Sequence, residues 1–432
     1  MAEGHPPSPT RKTAAPLPLA PRAKPRAGDG KSIGSHLDEV RKIILNLAFL
    51  GVVGLLIFTA VKVLRSDEMV VDAIGLPKNI KDLGYTEDGA ALMLSDNIRR
   101  IAGAANDSDA QLQVLANYEV PDIAVPVEGL SFGSIIRLLR QTFGLPQNRL
   151  IGDFVCPSEP CLSSTMELRM RLRQGVNKPV ALSPVRGTSH DAILQSAAER
   201  FMEATAPMEL ALYLHNEPTG ARRAEGVAIA QQIALTDNEN RLTAINLLGV
   251  DLLERPEKRP EDLKAAIAYF QQVIEAEPNA AIAYTNWGAA LSALGDKAGA
   301  IEKYRQSIAL NSDEAMQHHN LGVVLASQGQ DAEAVTSFET AVALDPGYAN
   351  SYLGLGSAQL RLGNAASALA SFEKAAALNP QLADAHYNIG VAARNADKPL
   401  AARQAFEAYL RLNPTATDRE TVQGFITELS GP

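Results

Sequence analysis

A period of 34 residues runs through the second half of the chain and constrains its fold more than any other feature. Four kinds of residue recur in phase with one another, each at its own position of the period. They are glycine (Gly288, Gly322, Gly356, Gly390), alanine (Ala300, Ala334, Ala368, Ala402), an aromatic residue (Tyr304, Phe338, Phe372, Phe406) and proline (Pro278, Pro346, Pro380, Pro414, with Ser312 in the gap). A period of this length predicts helix–turn–helix units, which bury their apolar faces only by stacking on copies of themselves.

These positions resemble the tetratricopeptide repeat (TPR) family, whose units have an apolar residue and glycine in the first helix, an aromatic residue between small residues in the second, and proline at the exit. The four full units carry the first-helix pairs Trp287-Gly288, Leu321-Gly322, Leu355-Gly356 and Ile389-Gly390. A looser copy precedes them: Leu248-Gly249 lies five residues early, so Arg255–Asp262 is interpreted as an insertion. The resemblance covers residues 245–414 and implies an α-solenoid that serves as a protein-binding scaffold.

An apolar stretch near the start of the sequence, Ile43–Leu64, predicts a single transmembrane helix. Its 22 residues contain one charge, Lys62, and are enough to span a bilayer as a helix. A cleaved secretory signal is the competing interpretation, but it needs a preceding segment far shorter than 42 residues and a small-residue cleavage site near Arg65. A buried core helix is a further alternative, although few core helices are apolar on all sides over this length.

The distribution of charge predicts the orientation of this helix. Residues 1–42 carry eight Lys or Arg against four Asp or Glu, while the whole chain has a net charge of −9. The tail is therefore basic, at +4, and the rest of the chain is acidic, at −13. Because the basic flank of a membrane helix usually stays in the cytoplasm, we expect a disordered cytoplasmic tail and a C-terminal part in the periplasm of a bacterial-type cell.

The residues between the predicted anchor and the repeats, 65–195, have the pattern of a small α/β domain. Helices are predicted at Met93–Ala104, Ser131–Phe143 and Asp191–Ala204, and strands at Ile123–Val127, Leu150–Val155 and Met166–Leu172. The order of these elements favours an antiparallel sheet.

Helical segments flank the repeats on both sides. Residues 196–244 are helical in pattern, at Met208–Leu214 and Ala221–Leu235, and are interpreted as degenerate repeats that continue the stack. Residues 415–432 contain a helix-like run, Asp418–Leu429, which is predicted to cap the open end. The predicted fold is therefore mainly α: a TPR α-solenoid, preceded by a small α/β domain and one N-terminal transmembrane helix.

The two cysteines, Cys156 and Cys161, lie between two predicted strands in the sequence Cys-Pro-Ser-Glu-Pro-Cys. A zinc site needs about four ligands, and no second cysteine pair or nearby histidine supplies them. A redox-active pair usually has two intervening residues rather than four. A disulfide across the hairpin loop is therefore favoured, provided that the domain is exported into an oxidising compartment.

The sequence contains no pattern of a catalytic or cofactor site. Its seven histidines have no metal-ligand spacing with acids or cysteines, and it has neither a nucleophile elbow nor a nucleotide fingerprint. The acidic part has no basic patch with interleaved aromatic residues, so nucleic acid is not an expected partner. His318 and His386 share one repeat position and are predicted to pack in the core. We expect no enzymatic activity, cofactor, metal or small-molecule substrate.

The TPR resemblance implies a binding site in the inner groove of the stack, which the first helices line. One first-helix position carries Asn286, Asn320 and Asn388, with Gly354 breaking the series. Regularly spaced Asn side chains can each donate to and accept from the backbone of an extended peptide. The alternative is that these amides bond to solvent or to neighbouring turns. Further groove candidates are Thr285, His319, Ser357, Arg361, Tyr387 and Arg394. The Lys/Arg cluster with which some family members bind a terminal carboxylate is missing.

The sequence thus predicts a single-pass inner-membrane scaffold that binds partner proteins through its TPR groove and helps to assemble an envelope, secretion or pilus complex. One alternative is a membrane receptor with the opposite topology, whose repeats lie in the cytosol. Another is an enzyme with a catalytic α/β domain, although residues 70–195 offer no nucleophile–base pair.

Overall fold

The structure, a computed structural model, describes residues 69–82, 84–103, 114–116, 148–156, 166–174, 177–236 and 238–429. The predicted tail, the predicted transmembrane helix and the elements predicted at Ile123–Val127 and Ser131–Phe143 lie outside these residues. Among the described helices, none is both long enough and apolar enough to cross a bilayer. The described residues belong to one compact unit, which contains a β-sheet with its covering helices and a stack of helical pairs.

The sheet has a mixed rather than an antiparallel arrangement. Its described strands are β1 (Met69–Val71), β2 (Val114–Ala116), β3 (Asn148–Val155), β4 (Glu167–Arg173), β5 (Val180–Ala181) and β6 (Val185–Arg186). They are ordered β2-β1-β3-β4-β5, and β6 also pairs with β4. β1 runs parallel to both β2 and β3, whereas β3 and β4 form an antiparallel pair. The expected antiparallel sheet is therefore wrong for the first three strands, because β1 and β2 are joined by a helical crossover and not by a hairpin.

Buried and more exposed residues alternate along most of the two longer strands. In β4, Leu168, Met170 and Leu172 are buried, whereas Arg169 and Arg171 between them are exposed. The apolar face of the sheet packs on α1 (Lys78–Lys81), α2 (Glu87–Gly103) and α3 (His190–Thr205) in one core. The strands and helices predicted in this part of the chain are thus confirmed wherever the structure describes them.

The core under the sheet extends further along the chain than predicted. The expected domain boundary at residue 195 falls inside α3. Ile193, before this boundary, and Phe201, after it, are both fully buried in the same core. Leu210 and Leu214, from the next helix, also belong to it. The boundary therefore has to be moved beyond α3, because a single helix face cannot be divided between two cores.

Helical pairs make up the rest of the chain. The helices are α4 (Pro207–His215), α5 (Gly220–Ala234), α6 (Arg241–Glu254), α7 (Pro260–Ala276), α8 (Ala281–Leu294), α9 (Lys297–Leu310), α10 (Ala315–Ser327), α11 (Asp331–Leu344), α12 (Ala349–Arg361), α13 (Ala365–Leu378), α14 (Ala383–Asn395), α15 (Pro399–Leu412) and α16 (Arg419–Leu429). Each even-numbered helix from α4 to α14 packs on the odd-numbered helix that follows it, and each pair packs on the next. The last helix, α16, packs on α15 and covers the open end of the stack.

In each pair from α6/α7 onward, a glycine in the first helix lies against an aromatic ring in the second. The contacts are Gly249 with Phe270, Gly288 with Tyr304, Gly322 with Phe338, Gly356 with Phe372 and Gly390 with Phe406. A Cβ atom at any of these glycines would lie 2.5–2.9 Å from a ring carbon. The repeating glycine therefore sets how closely the two helices approach, and the repeat architecture predicted from the 34-residue period is confirmed.

Candidate functional site

The first helices α8, α10, α12 and α14 contact one another in sequence order and form one layer of the stack. We call the exposed face of these four helices the groove. It carries almost no charge: α8 and α10 contain no Asp, Glu, Lys or Arg, α12 contains only Arg361, and α14 contains Asp384 and Arg394. Every other acidic residue between 281 and 412 lies on a second helix or in a turn.

The three predicted groove asparagines differ in their bonding. Asn320 and Asn388 are half-buried, and their side-chain amides have no hydrogen-bond partner among the described residues. The Nδ2 atom of Asn286 instead donates to Oδ1 of Asn246 on α6, at 3.1 Å. Asn246 does not continue the series, because Asn286 lies two residues before Gly288 and the equivalent position, two residues before Gly249, is Leu247. Repeat spacing therefore gave no signal for this bond.

Gly354 interrupts the asparagine series for a structural reason. A Cβ atom at this position would lie 2.6 Å from the ring of Phe338, which also lies against Gly322. Phe338 therefore occupies the space that a fourth asparagine side chain would need.

Thr285 does not belong to the groove, contrary to the expectation. It is 1% exposed, and its hydroxyl oxygen lies 2.7 Å from Oγ of Ser307 on α9. Ser307 in turn donates to the carbonyl oxygen of Ala281 at 2.7 Å. The threonine side chain is short enough to turn between the two helices of its pair, where it stabilises their packing instead of facing a partner.

His319 occupies the same repeat position as Thr285 but is only half-buried. Its Nδ1 atom lies 3.0 Å from Oγ of Ser351 on the next first helix, and its ring lies 4.8 Å from the ring of Tyr348 and 5.6 Å from that of Phe338. Burial lowers the pKa of His319 below its ordinary value, so the ring is neutral at pH 7. This residue links two repeats at the base of the groove.

The candidates in the C-terminal half of the groove are engaged within the protein. Arg361 forms an ion pair with Asp331 at 2.7 Å, and the guanidinium of Arg394 lies 4.3 Å from the ring centre of Phe425 on α16. Tyr387 packs edge-on against Phe406 and Tyr409. The hydroxyl of Ser357 donates to the carbonyl of Leu353 on its own helix, at 2.9 Å.

Three apolar side chains in the N-terminal half of the groove were missed by the sequence analysis. Ile282 on α8 is 49% exposed, and Met316 and Val323 on α10 are 44% and 46% exposed. Met316, Asn320 and Val323 are spaced i, i+4 and i+7, so they lie on one face of α10. That spacing is visible in the sequence, and it identifies this face once the buried face is assigned to Leu321 and Leu325.

His318 and His386 do not pack in the core as predicted. Each is half-buried and bonds through Nε2 to the backbone carbonyl oxygen six residues before it, at 3.0 Å to Ser312 and 3.2 Å to Pro380. These two carbonyls occupy the position of the exit proline. The histidines therefore fix the turn that leads from one repeat into the next.

An open cavity of about 440 Å³ lies between α2 and α3 in the α/β part of the chain. It is lined by Met93, Asp96, Asn97, Arg100, Asp191, Ala192 and Gln195, and the Arg100 guanidinium donates to the Gln195 side chain. The lining pairs no nucleophile with a base. Within the described ranges, no three His, Cys, Asp or Glu side chains are grouped so that they could hold a metal ion.

Cys156 follows β3 and packs, partly buried, on the core beneath the sheet. Cys161 lies outside the described residues. The disulfide between them therefore stays a prediction.

Comparison with protein families gives matches over the repeats. Residues 324–363 match a model described as TPR repeat, and residues 261–315 and 353–417 match a model described as tetratricopeptide repeat. No curated protein matches the chain.

Solved structures also resemble part of the chain. The crystal structure of YrrB, a TPR protein with an unusual peptide-binding site, is 20% identical with a TM-score of 0.39, and the match covers 46% of this chain and 99% of that one. That of PilW, a type IV pilus biogenesis factor, is 21% identical with a TM-score of 0.39, covering 45% and 87%. MamA 41-end from Desulfovibrio magneticus RS-1 is 21% identical with a TM-score of 0.37, covering 42% and 99%.

Proposed function

We propose that this chain, whose repeats match tetratricopeptide repeat models and stack as helical pairs, is a scaffold that binds a partner protein through the groove. The observation that carries this proposal is the state of Asn320 and Asn388. Both amides are half-buried, on α10 and α14, and neither has a hydrogen-bond partner in the described structure.

The chemistry of these amides supports a peptide ligand. An amide side chain offers two donors and an acceptor, and a half-buried polar group that lacks a partner is costly to leave unsatisfied once water is excluded. The backbone of an extended segment presents donors and acceptors at regular intervals and can satisfy such groups. A catalytic role is not part of the proposal. The lining of the cavity between α2 and α3 pairs no nucleophile with a base, and the Ser351 hydroxyl beside His319 is fully buried between two repeats, out of reach of a substrate.

We also propose that the scaffold is tethered to the inner membrane by residues 43–64, with its repeats in the periplasm. The support for this part is the length and apolarity of that stretch and the basic charge of the tail before it. A tether restricts the search for a partner to the membrane surface and raises its effective concentration there. Such an arrangement suits a protein that helps to assemble an envelope, secretion or pilus complex.

The groove proposal is tested by crosslinking in intact cells, followed by purification of the full chain from solubilised membranes. A variant in which Asn286, Asn320 and Asn388 are all changed to Ala is expected to lose the crosslinked partner. Asn364→Ala is the matched control, because Asn364 lies exposed in the turn before α13 and makes no capping hydrogen bond. If the triple variant retains every crosslinked partner, the groove is not the binding site.

The topology is tested separately with alkaline phosphatase fused after residue 70. Activity of the fusion is expected, since the enzyme is active only when it is exported. An inactive fusion whose protein is nevertheless produced would favour the opposite topology, in which the chain is a receptor with its repeats in the cytosol.

A further inference from the structure

The two halves of the groove differ in how many of their side chains are free to contact a ligand. In the C-terminal half, Arg361, Tyr387 and Arg394 are held by intramolecular contacts, and the ring of Phe338 fills the space beside Gly354. In the N-terminal half, formed by α8 and α10, apolar side chains are exposed and the Asn320 amide has no partner among the described residues. The exposed apolar surface of the groove therefore lies on α8 and α10.

The charge of α8 and α10 restricts what can occupy this surface. The chain as a whole carries a net charge of −9, yet these two helices contain no Asp, Glu, Lys or Arg. A charged group of a ligand placed here would lose its hydration without meeting a counter-charge, which is unfavourable. The surface is therefore complementary to an uncharged segment.

The exposed side chains define the rest of the ligand. Ile282, Met316 and Val323 are each 44–49% exposed, an area that a ligand can remove from water only with apolar side chains of its own. Asn320 lies between Met316 and Val323 on the same face of α10. A helical ligand satisfies its own backbone and leaves nothing for this amide, whereas an extended ligand presents unpaired backbone groups to it.

We propose that α8 and α10 form a subsite for an extended, uncharged segment of a partner protein, whose apolar side chains contact Ile282, Met316 and Val323 and whose backbone bonds to Asn320. The inference rests on the proposed groove function and specifies the class of partner. It excludes charged C-terminal tails and amphipathic helices as occupants of this half of the groove.

The test is a selection from a phage-displayed library of random 12-residue peptides on the immobilised full-length protein in detergent. Enriched peptides are expected to be depleted of Asp, Glu, Lys and Arg and to contain alternating apolar residues. Their affinities are then measured by fluorescence anisotropy against the unmodified protein and three variants.

Asn320→Ala is expected to weaken binding about tenfold, which corresponds to the loss of one or two neutral hydrogen bonds. Val323→Asp is expected to weaken it by more, because it places a charge against the apolar ligand. Leu362→Asp is the matched control, since Leu362 is also 46% exposed but lies at the turn after α12, and it should leave the affinity unchanged. Thermal melts followed by circular dichroism check that each variant is folded.

Two outcomes overturn the inference. One is the enrichment of charged peptides, or of peptides that bind the Asn320→Ala and Val323→Asp variants as tightly as the unmodified protein. If Asn388→Ala still weakens the binding of such peptides, the groove function stands and only the subsite is wrong. The other is the absence of any enriched peptide. In that case the crosslinking experiment decides whether the groove function fails as well.

Discussion

Each of the repeats from α6/α7 onward depends on a glycine that admits an aromatic ring. At Gly390 a Cβ atom would lie 2.5 Å from the ring of Phe406, which is fully buried and cannot move away. At Gly424 in α16, by contrast, a Cβ atom would meet nothing within 4 Å. Both glycines lie in helices, but only Gly390 is in close contact with a ring. Comparing alanine substitutions at the two positions therefore distinguishes the effect of the ring contact from that of helix propensity.

We expect Gly390→Ala to lower the free energy of unfolding by about 1–2 kcal/mol, because overpacking costs about 1–3 kcal/mol and the gain in helix propensity returns up to about 1 kcal/mol. Gly424→Ala should raise the free energy of unfolding by up to about 1 kcal/mol, because only the gain in helix propensity applies there. Urea denaturation followed by circular dichroism measures both. Equal effects of the two substitutions would contradict the assigned role of the ring contact.

A left-handed residue recurs in the turns between first and second helices. Gly295, Gly329 and Gly363 have φ values of 87°, 75° and 82°, and 34 residues further on Asp397 has a φ of 57°. A non-glycine residue in this left-handed region costs about 1–2 kcal/mol, which Asp reduces in part. Asp397→Gly is therefore expected to stabilise the protein by about 0.5 kcal/mol, after the greater entropy of glycine in the unfolded chain is subtracted. A lower urea midpoint for this variant would contradict that reasoning.

The pH dependence of stability reports on His319. Burial lowers the pKa of its folded form below 6.5, so the unfolded chain binds the proton more readily. Stability should therefore fall as the pH is lowered from 7.5 through the ordinary histidine range, and His319→Gln should show a smaller fall, measured from its own value at pH 7.5. His215 is also buried with a lowered pKa, and it accounts for part of the pH dependence of stability that remains in the His319→Gln variant. Identical slopes for variant and unmodified protein would show that His319 does not contribute.

The residues of the candidate site were predicted unevenly for a physical reason. Repeat spacing identifies which positions lie on first helices, so Asn320 and Asn388 were assigned to the inner layer, where both lie half-buried. Spacing does not fix how a side chain turns between two helices, and this is why Thr285 was assigned to the groove although it is buried. The exposed Ile282, Met316 and Val323 were missed because apolar residues on a helix are first interpreted as core.

At the level of elements, the terminal helix α16 closes the stack. Val422 and Ile426 are buried against α15, and the ring of Phe425 lies 5.5 Å from that of Phe406. A repeat interacts only with its neighbours, so loss of this cover should weaken the last pair more than distant ones.

Ile426→Ala is expected to cost about 2–4 kcal/mol of local stability, the range for truncation of a buried aliphatic side chain. Hydrogen exchange should accelerate in α15 and α16 while the strands β3 and β4 remain protected. Gln423→Ala, an exposed change on the same helix, is the control. Uniform acceleration throughout the unit would indicate that the stack unfolds as a whole rather than from its end.

Helices and strands were predicted with different success. Long periodic helices were located to within a few residues at their ends, and α2 differs most, because it begins at Glu87 after a Thr86 cap rather than at Met93. The strands β1, β2, β5 and β6 have two or three residues each and show no alternation that a sequence pattern could detect. Their pairing is set by tertiary contacts, so the mixed order of the sheet was not accessible from the sequence.

On the scale of the whole molecule, the charged side chains of the repeats lie mostly away from the proposed binding groove. From α8 to α15 every acid except Asp384 lies on a second helix or in a turn, while the first helices stay almost uncharged and present amides and apolar side chains. The ends of the stack are both closed, by the sheet core that reaches into α4 and by α16. Binding through the groove therefore requires no change in either end.

The predicted export of this part of the molecule has a chemical consequence at Cys156 and Cys161. In an oxidising compartment the two thiols should be joined, whereas in the cytosol they should be reduced. Full-length protein taken from membranes, with thiols blocked at lysis, is therefore expected to react with a maleimide-polyethylene glycol only after reduction, and then at two sites. Replacement of both cysteines by Ser should cost about 2 kcal/mol, since the loop they close is short. Two reactive thiols without reduction would contradict the disulfide and, with it, the periplasmic location of the repeats; an active phosphatase fusion in the same strain would then confine the error to the cysteines.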